Sequence, residues 1–386
     1  MHSRFAQYLP SASIAACVAA AVVATPMVAY AQSAGGGAPI VVGAVMSLTG
    51  PLAPVGLPER DGARLALKKV NGAGGIDGQP LEIIFEDDGS SPDAAVSKAN
   101  SLIFDRKVRA LIANTGLAAT VATGALTAPK NLPQLSNSGL GPAVELNRKC
   151  VFHITPAQEL NARSLLEYAT KKLGAKRVGL MHDTGFGQSV ANSLLKIGSE
   201  YGVTFTVTEK FEIGATDTTA QAAKVRATKP DAVFIVATSP TPFRNARQVK
   251  IGAPVITAHP SAPYDVVKAM GDGSEGVVFA DFVVAEDPLP HQKEFVKEFH
   301  QEYGRFPKNF DASGYDRVLI LARALQKVGA NASNEELCEA IRGPHQGAMA
   351  AYDFSAPDMG GLRVSSFVYS TYANGKFSRL PFGDVK

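Results

Sequence analysis

The chain reads as an α/β protein built from two Rossmann-like lobes with parallel-sheet cores. Three observations predict this. Short apolar runs alternate with helix-length segments that are apolar on one face, and such alternation builds parallel sheets joined by right-handed crossovers. The alternation occurs as two similar series in tandem, one from Ile40 and one from Arg177. The length, 386 residues, is enough for about two domains of ordinary size.

The N-terminus comes first. Residues 1–10 are short and polar, with Arg4 as the only formal charge. Residues 12–29 are a nearly charge-free apolar run interrupted by Pro26, followed by the small-x-small site Ala29-Tyr30-Ala31 and Gln32. That layout is a cleavable signal peptide, with cleavage expected after Ala31 and export to the periplasm. A membrane span and a lipobox around Cys17 are the weaker readings, because Pro26 and the A-x-A site favour cleavage and the apolar run continues past Cys17. No other segment reaches a charge-free run of 18 residues.

Ile40–Met46 is continuously apolar and reads as a buried strand. After the loop around Thr49-Gly50-Pro51, Glu59–Val70 carries Ala63, Leu65, Ala66, Leu67 and Val70 on a helical face, and Asn71–Gly75 stops it. Leu81–Phe85 is a strand, Ser91-Pro92-Asp93 opens a helix through Phe104, Val108–Ala113 is a strand, and Thr120–Pro129 is a helix. The second series follows the same rhythm: strand Arg177–Met181, helix Ser189–Tyr201, strand Thr204–Phe211, helix Thr218–Thr228, strand Ala232–Ala237, helix Thr241–Ile251, strand Val255–Thr257. Asp287–Tyr303 and Ser313–Val328 read as further helices. Arg363–Tyr372 alternates and leads to an Asn374-Gly375 turn, so strands are expected on both sides of it.

Composition narrows the function. The formal charge of +3 becomes +2 once Arg4 leaves with the signal, which gives no sign of nucleic-acid binding. Cys150 and Cys338 remain in an oxidising compartment, where they form a disulfide or stay as two separate buried thiols; both readings stand. Catalytic motifs are missing. Asn71–Gly78 has a glycine-rich look, but it follows a helix and opens a strand, the reverse of a dinucleotide fingerprint. There is no G-K-[ST] loop, no G-x-S-x-G elbow and no metal spacing among the seven histidines. His182-Asp183 has an acid–base look but no nucleophile spaced to go with it. The chain is therefore expected to be neither an enzyme nor a cofactor or metal protein.

Ligands of open α/β sheets bind outside the carboxyl ends of the strands. Two such loops of the first series are small and hydrogen-bonding, Asn114–Thr120 running into a helix N-terminus and Ser136–Gly141. The corresponding loops of the second series are His182–Gly187, Thr238-Ser239-Pro240 and Ala258-His259-Pro260, which bring Phe186 and His259.

From about Ile40 to the C-terminus the chain resembles the periplasmic binding proteins of the leucine/isoleucine/valine type, which serve ABC importers. The matching residues include Gly43–Ser47, Thr49-Gly50-Pro51, Gly56, Gly62-Ala63, Asn71 with Gly74-Gly75-Ile76 and Gly78, Asp87-Asp88, Pro129, His182-Asp183 with Gly187, Asp231, Glu275-Gly276 and Tyr352-Asp353-Phe354. The resemblance implies the type I periplasmic binding protein fold, with a three-segment hinge near Thr155, Phe282 and Ser366. The lobes are then 32–155 plus 283–366 and 156–282 plus 367–386. It implies a cleft that closes on a small molecule, the ligand carboxylate falling at Leu117, Ala118, Ser138 and Leu140 and the pocket walls at Val55, Phe186, Thr238 and Phe310. The family's acidic partner of the ligand ammonium falls at or beside His259, a serine hydroxyl is replaced by Leu117, and a disulfide of amino-acid-binding members reads Ser90 and Gly116 here. The expected partners are a carboxylate-bearing small molecule, amino-acid-like or aromatic or aliphatic, and the membrane permease of an importer, with the protein itself a monomer. A ligand-sensing subunit reporting to a membrane receptor or regulator is the alternative function.

Overall fold

The computed structural model describes residues 37–139, 148–356 and 360–382. The signal peptide expected at 1–31 and the site position Leu140 lie outside them.

Strand β1 (Ile40–Met46) runs IVVGAVM with six of its seven residues buried, as a strand covered on both faces must. It lies between β2 and β3 in a five-stranded parallel sheet of order β2-β1-β3-β4-β5, with β2 Leu81–Asp87, β3 Leu111–Ala113, β4 Gln134–Ser136 and β5 Val151–His153. Successive side chains of β1 face opposite layers: Val42, Ala44 and Met46 join the core shared with helix α1 (Ala53–Gly72), and Val45 joins the layer under helix α2 (Pro92–Asn100). The second sheet repeats the order. Strands β7 (Thr204–Phe211), β6 (Arg177–Asp183), β8 (Ala232–Val236), β9 (Val255–Ala258) and β10 (Val278–Asp281) are parallel and neighbours in that sequence. Beyond β10 the sheet adds an antiparallel hairpin, β13 (Val368–Ala373) and β14 (Lys376–Leu380). Its turn residues Asn374 and Gly375 both have positive φ, 53° and 79°, the conformation a two-residue hairpin turn demands.

Several elements depart from the sequence expectation at their ends. Helix α1 starts at Ala53, not Glu59, and runs through Pro58. Helix α3 (Leu117–Thr127) starts three residues before Thr120. β3 begins at Leu111 instead of Val108. Helices α9 (Lys293–Tyr303) and α10 (Asn309–Val328) start six residues later than Asp287 and four earlier than Ser313, respectively. The sequence reading did not name β10, β5 or helix α4 (Gln158–Glu167), nor helix α11 (Asn334–Ile341) and the small β11–β12 hairpin (Pro344–Gln346, Ala351–Asp353).

The chain passes between the sheets three times: after His153, after Asp281, and between Asp353 and Val368. Buried groups tie these passages together. The Phe282 and Phe367 rings pack at 4.4 Å. Asp281, fully buried, receives Lys308 Nζ at 2.6 Å and Ser370 Oγ at 3.0 Å on one oxygen and Asn309 Nδ2 at 2.6 Å on the other. Asn309 Oδ1 in turn accepts the backbone N–H groups of Phe282 and Val283. On the first sheet, Cys150 before β5 is disulfide-bonded to Cys338 on α11, with Cα atoms 5.6 Å apart.

Candidate functional site

A sheet of order 2-1-3-4-5 changes winding direction beside its first strand, and the crevice at that switch point is where such folds take ligands. Both sheets have one. In the first lobe the loops after β1 and β3 flank it; in the second, the loops after β6 and β8 do.

In the first lobe the loop after β3 reads Asn114-Thr115-Gly116 and feeds α3 with no side-chain cap, so the first-turn N–H groups of Leu117 and Ala118 are open to an outside acceptor. Leu117 is 40% exposed and Ala118 is exposed, while Val55 on the first turn of α1 is half-buried. Ser138, after β4, donates its hydroxyl to the Thr115 carbonyl at 3.1 Å, which holds the second loop against the first. Beneath these loops lies a buried polar stack. Ser47 N donates to Thr115 Oγ1 at 3.1 Å, Thr115 donates to Glu59 Oε2 at 2.9 Å, and Arg317 Nη2 stands 3.1 Å from that same oxygen. Glu59 and Arg317 are both fully buried; burial pushes the Glu59 carboxyl up and Arg317 opposes this. Ser47 Oγ donates to Asp88 at 2.7 Å.

In the second lobe Asp183, at the end of β6, organises two loops. One oxygen accepts Gly185 N at 2.9 Å and Gly187 N at 2.7 Å; the other accepts Thr238 N at 3.0 Å. Gly187 has no room for a side chain, because a Cβ would stand 2.1 Å from the Val236 carbonyl. This seats Phe186, half-buried, as the first residue of helix α5 (Phe186–Ile197), and leaves Thr238 exposed beside it. The His182-Asp183 pair is thus accounted for as structure: His182 Nδ1 bonds the Asp183 carbonyl, and the Asp183 carboxylate is spent on backbone N–H groups.

His259 follows β9 directly and is 4% exposed. Three phenylalanine rings stand edge-on around it: Phe282 at 5.6 Å, Phe310 at 5.9 Å and Phe186 at 6.3 Å. Phe310 opens α10, which packs on α1 of the first lobe, so the ring cluster draws on both lobes. Burial pushes the His259 pKa down to about 4, Asp281 opposing and Lys308 assisting, so the ring is neutral near pH 7. Its Nδ1 is buried and has no hydrogen-bond partner.

Of the residues singled out from the sequence, Phe186, His259 and Phe310 are brought together in one cluster. Leu117, Ala118 and Ser138 line the first lobe's loops, and Val55 and Thr238 flank the two switch points. Phe282 was missed as a ring of the cluster; its signal was only its place after an unrecognised four-residue strand. The Glu59–Arg317 pair carried no sequence signal, since 258 residues separate the partners. A cavity of about 290 Å³ lined by Phe243, Arg247, Gly273 and Val277 lies at the amino ends of β9 and β10, the opposite end from these loops. Among the described residues no His/Cys/Asp/Glu cluster is arranged to hold a metal ion, and no helix is long and apolar enough to cross a membrane.

Residues 39–363 match the periplasmic binding protein family. The leucine-, isoleucine-, valine-, threonine- and alanine-binding protein of Pseudomonas aeruginosa is 24% identical over 306 residues, which are 76% of this chain and 80% of that one. Leu/Ile/Val-binding protein homolog 1 of Brucella suis is 25% identical over 355 residues, 89% of this chain and 94% of that one. The branched-chain amino acid transporter substrate-binding protein LivJ of Streptococcus pneumoniae, solved with isoleucine, superposes with a TM-score of 0.77 at 23% identity, over 89% of this chain and 99% of that one. These relatives are named as binding proteins and not as enzymes. With two repeated parallel sheets, a triple passage between them and a match spanning most of the chain, this protein belongs to the periplasmic binding protein family, in its type I fold.

Proposed function

We propose that the chain is the periplasmic substrate-binding component of an ABC importer of the branched-chain or hydrophobic amino-acid type, and that it closes on a small, carboxylate-bearing, apolar ligand. The observation that carries the reading is the pairing of opposite chemistries at the two switch points. An uncapped helix N-terminus at Leu117 and Ala118, with Ser138 beside it, suits a carboxylate. The Phe186–His259–Phe310 cluster suits an apolar body, and Val55 and Thr238 stand on the loops and first turns that flank the switch points. The names of the relatives support the same class of ligand.

On this reading residues 1–31 are removed on export, residues 32–155 with 283–366 form one lobe, and 156–282 with 367–386 form the other. The two turn as rigid bodies about the three passages, and the closed form engages the permease as a monomer. A thermal-shift panel of refolded, ligand-free protein against aliphatic and aromatic carboxylates and amino acids tests the proposal. A ligand at one hundred times its Kd adds about 2.7 kcal/mol to native stability, enough to raise Tm by several degrees. A Phe186→Ala variant should keep its ligand-free melting within about 2 °C, because a half-buried ring at the first position of a helix is not a core ring, and bind at least tenfold more weakly. No shift from any member of the panel would refute the proposal.

A further inference from the structure

We infer that the ligand end entering the second lobe carries no positive charge, and that His259 Nδ1 partners a neutral hydroxyl or carbonyl there. The ligand class is then a 2-hydroxy acid with an apolar body, rather than a zwitterionic amino acid. The inference rests on the carboxylate-binding reading above.

His259 stands past the carboxyl end of β9 among three phenylalanine rings, 4% exposed, with Nδ1 buried and unpartnered. A buried polar atom of this kind costs free energy unless something bonds it. A hydroxyl satisfies either tautomer of a neutral imidazole, because it donates and accepts; an ammonium only donates. An ammonium moved into a closed, ring-lined space also needs a carboxylate to offset its desolvation. Among the described residues the buried carboxylates of the second lobe are Asp281 and Asp183, and both are already engaged. Asp281 takes Lys308, Asn309 and Ser370, and Asp183 takes three backbone N–H groups. Asp265 is exposed on helix α8 (Tyr264–Met270). Among the described residues two buried carboxylates keep an unpartnered oxygen, Glu59 Oε1 and Asp88 Oδ2, but both belong to the first lobe, where Glu59 already faces Arg317.

Calorimetric titration of the refolded protein with matched pairs tests this: leucine against 2-hydroxy-4-methylpentanoate and 4-methylpentanoate, and phenylalanine against 2-hydroxy-3-phenylpropanoate and 3-phenylpropanoate. The hydroxy acid of at least one set should bind tenfold or more tighter than its amino acid, and His259→Asp should reverse that order. His259→Phe keeps the ring and removes Nδ1, and it serves if the buried aspartate prevents folding. It should reduce the preference for hydroxy acid over plain acid at least tenfold. Tighter binding of either amino acid to the unaltered protein, or an unchanged hydroxy-acid preference in His259→Phe, overturns the inference while leaving the carboxylate reading intact. Binding by no member of either set overturns both.

Discussion

His259 concentrates in one side chain how burial sets chemistry. Its ring is held neutral because charging it would place a cation among phenylalanines, and the pKa falls to about 4. In the unfolded chain the same ring protonates near pH 6.5. Between those values the unfolded state binds a proton that the folded state does not, so the stability tied to the neutral ring is full above about pH 6.5 and is lost as pH falls toward 4. Up to about 3 kcal/mol is at stake. Asp311 and Asp316 act in the opposite sense: burial raises each carboxyl to about 6, so their contribution is lost as pH rises through that value. They are common to the unaltered protein and a His259→Asn variant and cancel in the difference. Urea unfolding of the pair at pH 7 and pH 4.5 should therefore show the unaltered protein losing about 2–3 kcal/mol relative to the variant. A pH-independent difference would mean that the ring is not buried as described. The position of His259 at a strand end was legible in the sequence; its ring neighbours were not, because Phe282 and Phe310 approach from other elements.

At the scale of elements, the crossing of α1 and α10 shows how closely two helices can approach when both give up a side chain. A Cβ on Gly62 would stand 1.8 Å from the Asp311 carbonyl, and one on Gly314 would stand 1.9 Å from the Glu59 carbonyl. The two glycines answer each other across the crossing, and the approach brings Glu59 to Arg317 and Phe310 to the ring cluster. Gly314→Ala should destabilise by about 3 kcal/mol or more in equilibrium urea unfolding, since backbone and not a flexible side chain must move. Gly72→Ala, at the end of α1 with nothing within 4 Å, should be neutral or slightly stabilising. Equal costs at both sites would show that the helices do not touch there. Gly62 was legible as part of a family motif; its partner at 314 was hidden in an ordinary amphipathic pattern. Strands β5 and β10, of three and four residues, escaped for a simpler reason: a run that short shows no period.

For the whole molecule, the Cys150–Cys338 bond is a covalent constraint spanning 188 residues. Closing a loop of that length lowers the entropy of the unfolded chain, an effect of about 5 kcal/mol in the chain-entropy description. A Cys150→Ala/Cys338→Ala protein should unfold at lower urea by a margin approaching that figure. Dithiothreitol should move the unaltered protein and leave the double variant where it is. An unfolding curve insensitive to reductant would show the thiols unpaired. The bond joins the segment entering β5 to α11, so it does not cross the passages between the two sheets and is compatible with the proposed closure.

Sequence alone determined the alternation of strands and helices, the duplication of the series, and which loops lie past the carboxyl ends of the strands. Each of these follows from local period and order along the chain, as with the apolar run Ile40–Met46 or the loop from Asn114 to Thr120. Tertiary structure alone decided that Cys150 meets Cys338, that Arg317 buries its charge against Glu59, that Asp281 locks the passages between sheets, and that Phe186, Phe282 and Phe310 surround His259. These are contacts between elements far apart in sequence, and the packing of whole helices and sheets fixes them, whereas a local pattern records only which face of an element is apolar.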